Sequence, residues 1–522
     1  MTATPIDMSP GCVDLLVDRH VRSGHGECEA LVEHGSLGRR VLTYSQLQEV
    51  TIRLAHDLSI SLAGSRTQRR IALVGGATLE TICQWLAAMR SGHLAMLVHP
   101  DLTLEQYDAL WESFDPDLVL RDRLSGVPVG RPCQDIDTLL AGAPADLPDG
   151  AEVSALAGSF DLRPALVLAT SGSTGRPKLC VHSHRSFWEF ERTVSRKMWA
   201  LERGDRVLGS GGPFFSFGLQ AVHAPLGVGA TAVLLPEWTE HADFLDTIER
   251  ERVSVFLGVP TLYHLLMSRG RRSYDLSSLS LSLAAGERLP DVIRTRWQAY
   301  SGSRMLDSIG TTETFAPYLS ELREGGSGMV RVGGFEYTDM ALGAADGEDA
   351  ALTLGLAQGC MMLGYLLAGN DGGLAPPDSP FLTNDVFVRS GEGYRFQSRC
   401  SERVKVAGQW VFPQQLEEWL LADRRVERAA ALPITTSEGL VRLRAFVVLK
   451  DNGDTADTVV VALMQRIQRD LKPKALRPDR IEVVERIPST PTGKLQRRDL
   501  QEQIQPALAS RVLSGATLLL GT

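Results

Sequence analysis

Between about residues 42 and 265, short continuous apolar runs alternate with longer segments of helical periodicity. IALVG (71–75) predicts a strand, LETICQWLAAMRSG (79–92) a helix closed by Gly92, and LAMLVHP (94–100) a second strand stopped by Pro100. The rhythm returns as the strand ATAVLLP (230–236), a helix near ADFLDTIERERV (242–253) and the strand SVFLGVP (254–260). Unbroken apolar strands separated by helices predict buried sheets in an α/β layered architecture. From 320 to 380 the pattern changes to Gly-, Asp- and Ala-rich turns between short strands, and LTNDVFV (382–388) with YRFQS (394–398) predicts a hairpin around SGEG.

A second pattern begins near residue 400. PQQLEEWLLAD (413–423) carries Leu416, Trp419 and Leu420 on one helical face. Two strand-like runs, RAAALPI and RLRAFVVLK, a helix near 456–471 and the strand RIEVVERIP follow. The expectation is a large N-terminal α/β domain, 1–399, joined at an Arg399–Glu402 hinge to a small α+β domain, 400–522.

Composition narrows the function. With 522 residues the chain is too long for one ordinary core, and 43% hydrophobic residues suffice for buried ones. A net charge of −9 argues against nucleic acid or anionic lipid as a partner, so any bound anion must be held by local donors. The seven cysteines (12, 28, 83, 133, 180, 360, 400) are dispersed without a CxxC pair, as expected of reduced thiols in a cytoplasmic protein. No signal peptide or membrane span is expected, because the N-terminus lacks a basic-then-apolar pattern and no run of about 18 apolar residues occurs.

The stretch LATSGSTGRPKLCVHSH (168–184) ends an apolar run in Ser, Thr and Gly and resumes as a second strand-like run. It lacks the GK[ST] of a Walker loop and is not followed by a helical pattern. The remaining reading is a turn between two strands whose backbone N–H groups, hydroxyls and Lys178 form an anion nest, against the plainer reading of an ordinary hairpin loop. His182 and His184 form an HxH pair, which on a strand would share one face as a metal site requires, but no third and fourth ligands accompany it. Cys180 is expected to be buried and inert.

TSGSTGRPK resembles the signature loop of the acyl-adenylate-forming superfamily, which includes acyl- and aryl-CoA ligases, nonribosomal adenylation domains and luciferases. Further motifs follow in order: SLAAGERLP (282–290), LDSIGTTET (306–314), Asn384-Asp385, SRCSERVKVAGQWVFPQQLEEWL (398–420) and PSTPTGKLQRRDL (488–500). The resemblance implies that ATP and Mg²⁺ convert a carboxylate to an acyl-AMP. It further implies a loop of Thr170, Ser171, Gly172, Ser173, Thr174, Gly175 and Lys178 around the phosphates. Gly286, Glu287, Arg288, Asp307, Ser308, Ile309, Gly310 and Thr311 would lie along the nucleotide, with Asp385 and Arg399 at the ribose. By the same resemblance Thr312 donates to the phosphate, Glu313 is the metal ligand, and Lys494 neutralises charge developing in the transition state. Lys405 and Gly408 fall in the segment that lines a pantetheine arm in CoA-using relatives, where glycine permits close backbone approach.

PFFSFGLQ (213–220), VHSH, GVPTLY and VAGQWVFP look most like the benzoate and aryl-CoA ligase branch. Phe215, Phe217 and Ile309 would then wall a flat aromatic slot, with Gly218 leaving room for the ring and Ala284 and Ala316 beside it. The plainer reading makes these aromatics core. Ala316 stands where some aryl relatives carry a larger polar residue. The pivot is Ser401 rather than Asp or Lys, the acid is preceded by Asn384 rather than Gly, and only Gly364-Tyr365 survives of a family glycine–tyrosine block. These departures bear on the thioester step more than on adenylation. The expected activity is an aryl-acid:CoA ligase. The alternatives are an enzyme loading an aryl acid onto a pantetheinylated carrier protein, or one adenylating an unusual acid such as nitrite for aryl amine diazotisation. A non-catalytic nucleotide-binding protein is a fourth possibility, disfavoured by Lys494, Glu313 and Thr312. A homodimer is implied only by the resemblance.

Overall fold

The computed structural model describes residues 11–62, 68–125, 133–136, 162–170, 177–238, 240–269, 273–325, 328–342, 351–368, 373–391, 393–400, 404–406, 409–436, 440–450, 455–488, 495, 497 and 499–501. Two large sheets dominate the N-terminal part. In the nine-stranded sheet, Glu29–Gly35, Thr231–Leu234, Arg206–Gly209, Val255–Gly258, Leu281–Ala284 and Arg304–Gly310 run parallel. Antiparallel strands close both its edges. The eight-stranded sheet is parallel through Arg70–Val74, Leu94–Val98 and Pro164–Thr170, then turns antiparallel at Lys178–Ser183 and Gly364–Leu366. The apolar runs lie where expected because helices cover both faces: every residue of Arg70–Val74, Leu94–Val98 and the Leu79–Arg90 helix is buried.

A single core cluster joins these sheets through Trp85, Phe187, Phe190 and Trp199. Glu33, fully buried on one sheet, ties it to the helix of the other: it accepts from Leu79 N at 2.8 Å and pairs with Arg40 and Arg123. That satisfies an orphan donor at the helix start and neutralises the carboxylate. A third sheet of five strands holds the Gly- and Asp-rich region, and its Asp385–Ser390 and Gly393–Arg399 strands form the predicted hairpin.

The small C-terminal domain has its own core. Helices Pro413–Leu421 and Ala456–Asp470 pack on a sheet of Val426–Thr435, Val441–Leu449 and Ile481–Val483, burying Leu416, Leu420, Leu463 and Ile467. Among the described residues no helix is long and apolar enough to cross a membrane.

Candidate active site

The nucleotide-side motifs converge. Gly286, Glu287, Arg288, Asp307, Ser308, Ile309, Gly310, Asp385 and Arg399 line one cavity of about 330 Å³. They arrive there because Leu281–Ala284 and Arg304–Gly310 are adjacent parallel strands, so the segments following and ending them share the carboxyl edge of the sheet. Gly286 has φ +81°, which a side chain would strain, and a Cβ there would meet only Val259 at 3.7 Å. The glycine serves the backbone turn. Glu287 accepts from Thr261 N and Oγ1, at 3.1 and 2.7 Å, bracing the turn against the start of the Pro260–Arg269 helix. The small domain supplies the opposite wall through Glu417, Glu418, Leu495 and Arg497.

Asp307 is half-buried in this wall with its Oδ1 buried and without a partner, and desolvation pushes its carboxyl up to about 8. Asp385 is buried at the start of its strand. Its Oδ2 accepts from Tyr318 Oη, and Arg399 Nε stands 3.5 Å from Oδ1. Burial holds the Tyr318 phenol well above its usual range, so it stays a donor. Asn384 has φ +55° and its carbonyl accepts from Cys400 N. This left-handed backbone accounts for the departure seen in the sequence: after glycine, asparagine tolerates it best.

The phosphate-side residues gather next to this cavity without lining it. Pro164–Thr170 and Lys178–Ser183 pair antiparallel with Thr170 opposite Lys178, so the signature loop connects two strands and no helix follows it directly. Ser171 to Gly175 lie outside the described residues, as do Ser401, Gly408 and Lys494. Thr312 and Glu313 form a tight turn after the Arg304–Gly310 strand, held from three sides. His182 Nε2 contacts Thr312 O at 2.9 Å, Met362 N donates to Glu313 O at 2.8 Å, and Tyr365 Oη donates to Glu313 Oε1 at 2.9 Å. Lys178 Nζ lies 5.2 Å from the Tyr365 ring centre.

The HxH pair does not share a face. The strand ends at Ser183, and His184 opens a helix where its Nδ1 meets Cys12. His182 is fully buried, and desolvation lowers it to about 4. A neutral ring facing a carbonyl must carry its proton on Nε2. Cys180 is buried as expected, and burial raises its thiol. Among the described residues no group of three or more His, Cys, Asp or Glu could hold a metal ion. Mg²⁺ needs no such cage when phosphates and water supply most of its oxygens, so the single Glu313 carboxylate fits it.

The expected acid slot is less uniform. Ile309 lines the cavity; Ala284, opposite Asp307 on the neighbouring strand, and Ala316 are buried and do not line it. Phe217 packs on the core, as the plainer reading had it, whereas Phe215 is 48% exposed near Phe214 and His99. The room expected at Gly218 is filled: a Cβ there would strike the carbonyl oxygens of Gly211 and Gly212. That glycine lets a helix start seat on backbone. Lys405 is exposed on the Val404–Val406 strand and does not line the cavity.

The AMP-binding enzyme family model matches residues 18–333, and the model of its C-terminal domain matches 415–494. The chain is an AMP-binding enzyme. It is 28% identical to the 4-hydroxybenzoate–CoA/benzoate–CoA ligase of Rhodopseudomonas palustris over 545 residues, covering 96% of this chain and 97% of that one. It is 28% identical over 460 residues to the anthranilate–CoA ligase of Pseudomonas aeruginosa, covering 83% and 86%. The crystal structure of the anthranilate CoA ligase AuaEII with anthranoyl-AMP superposes with a TM-score of 0.81, covering 98% of this chain and 100% of that one at 22% identity. As in other members, the large and small domains are those of an adenylate-forming enzyme.

Tyr318, Tyr365 and His182 were not singled out in the sequence as parts of the nucleotide site. Their roles depend on partners 67, 52 and 130 residues away. The signal available was the surviving Gly364-Tyr365 and the polarity of His182 within an otherwise apolar strand.

Proposed function

We propose that this AMP-binding enzyme activates an aromatic carboxylic acid and passes it to CoA. The carboxylate attacks the α-phosphorus of ATP, giving an aryl-adenylate and pyrophosphate. The CoA thiol then attacks the acyl carbon, giving the aryl thioester and AMP. The observation that carries this reading is the gathering of nine motif residues around one cavity roofed by the small domain, together with a full-length likeness to a hydroxybenzoate/benzoate–CoA ligase.

In this reading Asp385, held by Tyr318, accepts from the ribose hydroxyls. Asp307, which lines the cavity, lies on the nucleotide side of the wall. Thr312, Lys178 and the 170–175 loop bind the phosphates as donors preorganised for charge that grows in the transition state. Glu313 would hold Mg²⁺, which when bound neutralises phosphate oxygens. By the family resemblance Lys494 would stabilise the carboxylate and α-phosphate oxygens together, a role supported by Leu495, the next residue, lining the cavity. The division into 1–399 and 400–522 fits this work. The last large-domain strand ends at Arg399, and the small-domain wall must withdraw for a pantetheine arm to enter past Lys405 and Gly408. Free cysteines throughout the described residues support a reducing, cytoplasmic setting, and a homodimer belongs to the proposal by likeness alone.

The test is ATP–pyrophosphate exchange with Mg²⁺ and no CoA, against benzoates, aminobenzoates, cinnamates, fatty acids and nitrite. Exchange confined to aryl acids, followed by thioester formation on free CoA, supports the proposal. Transfer only to a pantetheinylated carrier selects the loading enzyme. Exchange with nitrite alone, or none with any acid, overturns the aryl-CoA reading.

A further inference from the structure

Tyr365 occupies a position that the reaction chemistry leaves without a role. The Gly364–Leu366 strand adds antiparallel to the edge of Lys178–Ser183, with Tyr365 opposite Cys180. A Cβ at Gly364 would crowd Ala375 O on the other side, so the strand is wedged closely between its neighbours. Met362 and Leu363, just before it, bond to Glu313 O and Val181 O. The side chain is thereby aimed at two groups at once. Its hydroxyl donates to Glu313 Oε1 at 2.9 Å, and its ring face lies 5.2 Å from Lys178 Nζ.

We infer that Tyr365 is a positioning residue that fixes the Glu313 carboxylate for Mg²⁺ and the Lys178 ammonium for the ATP phosphates. The inference rests on the assignment of Glu313 and Lys178 made above. A carboxylate offers two oxygens. Occupying Oε1 with a hydrogen bond locks the rotamer and leaves Oε2 for the cation, and such outer partners change metal affinity by about 10–100-fold. The ring face attracts the ammonium by its quadrupole and restricts a flexible four-carbon stem before ATP arrives. One side chain thus couples the metal ligand to the phosphate lysine.

The experiment measures ATP affinity by calorimetry without any acid substrate, once with saturating Mg²⁺ and once with EDTA. The ratio of the two affinities isolates the metal's contribution and involves no turnover. Tyr365→Phe keeps the ring and loses the donor. Its ratio is expected to fall about 10-fold, while ATP affinity in EDTA stays within twofold. Tyr365→Leu loses the ring as well, and its affinity in EDTA is expected to fall too. Glu313→Gln is the control for the underlying assignment. If Glu313→Gln collapses the ratio and Tyr365→Phe leaves it unchanged, the Tyr365 inference is overturned and the Glu313 assignment stands. If Glu313→Gln leaves the ratio unchanged, both fall. A Tyr365→Phe protein that weakens ATP equally with and without Mg²⁺ also overturns the inference, since a general loss of packing would act that way.

Discussion

Glu418→Gln should slow adenylation while sparing thioester formation. Glu418 lies on the first helix of the small domain, and its Oε1 is 2.8 Å from Nε of Arg288 in the large domain. Beside it Gln415 Nε2 reaches Gln397 Oε1 at 3.3 Å. These contacts hold the small domain over the cavity, with Leu495 and Arg497 in its lining; under the proposed function this is the adenylating pose. The two side chains are 19% and 31% exposed, and burial raises the Glu418 carboxyl against the pull of Arg288. Part of the Coulomb gain is therefore spent on desolvation, and about 1 kcal/mol is the upper end for a pair this open to solvent. At about 0.6 kcal/mol for RT, that shifts the equilibrium between poses by about fivefold. Pyrophosphate exchange should fall by up to about fivefold, and less at 0.5 M salt, where screening has already weakened the pair. Conversion of preformed aryl-AMP to thioester, which needs the other pose, should be unchanged or faster. Arg288→Glu with Glu418→Arg should recover part of the loss. The reasoning fails if exchange is unaffected, or if both half-reactions drop alike, because the pair would then brace the fold and not the pose.

Lys494→Ala should cost about 3 kcal/mol in the adenylation barrier, the scale of losing one preorganised donor. It should leave thioester formation from added aryl-AMP nearly intact, and an unchanged exchange rate would refute its role. His182→Leu removes the donor to Thr312 O and strands a buried carbonyl, a loss of about 1–3 kcal/mol. We expect kcat/KM for ATP to fall about 10- to 100-fold, and His182→Gln, whose amide reaches about as far, to recover most of it; equal defects in the two variants would sink the idea. Stability should decline as pH drops from 7 to 5. His20, His93 and His182 are held near 4 and His223 near 3 by burial, below the ordinary 6.5. Across that window the unfolded chain binds protons that the folded chain refuses, so the contribution is complete above 6.5 and fades toward 4, at up to about 1.4 kcal/mol per pH unit for each group. Asp307, raised to about 8, and Glu418, raised as well, work the other way, but they are two carboxyls against six histidines, since burial lowers His99 and His264 too. A urea midpoint that is flat or higher at pH 5 would contradict this.

The parts of this molecule that the sequence makes plain are those whose cause is local or periodic. The Leu94–Val98 and Val255–Gly258 strands read as unbroken apolar runs because helices cover both of their faces. The signature loop reads as a turn between strands because no helical pattern follows Lys178. Asn384 is also a local matter, although its meaning emerges only with φ: a non-glycine residue takes the backbone that glycine would. Other residues deceive in one dimension. His182 and His184 look like a pair until the strand stops at Ser183 and a helix carries the second imidazole toward Cys12. Gly218 looks like space for a ring until the Gly211–Gly212 backbone is found filling it.

What no local pattern carries is the coupling across sheet edges. The Thr312–Glu313 turn comes from one sheet, yet the groups that hold it, His182, Met362 and Tyr365, come from the strand after the signature loop and the segment that pairs with it in the other sheet. The end of the site proposed to hold the phosphates is thus tied to both large sheets. The nucleoside end, by contrast, is roofed by a separate domain, whose contacts with the large one include the Arg288–Glu418 and Gln397–Gln415 pairs. A site built this way can keep phosphates and metal fixed while the roof changes. The proposed pair of reactions at one adenylate would require that: the α-phosphate and acyl carbon stay in place while the small domain's lysine gives way to a thiol.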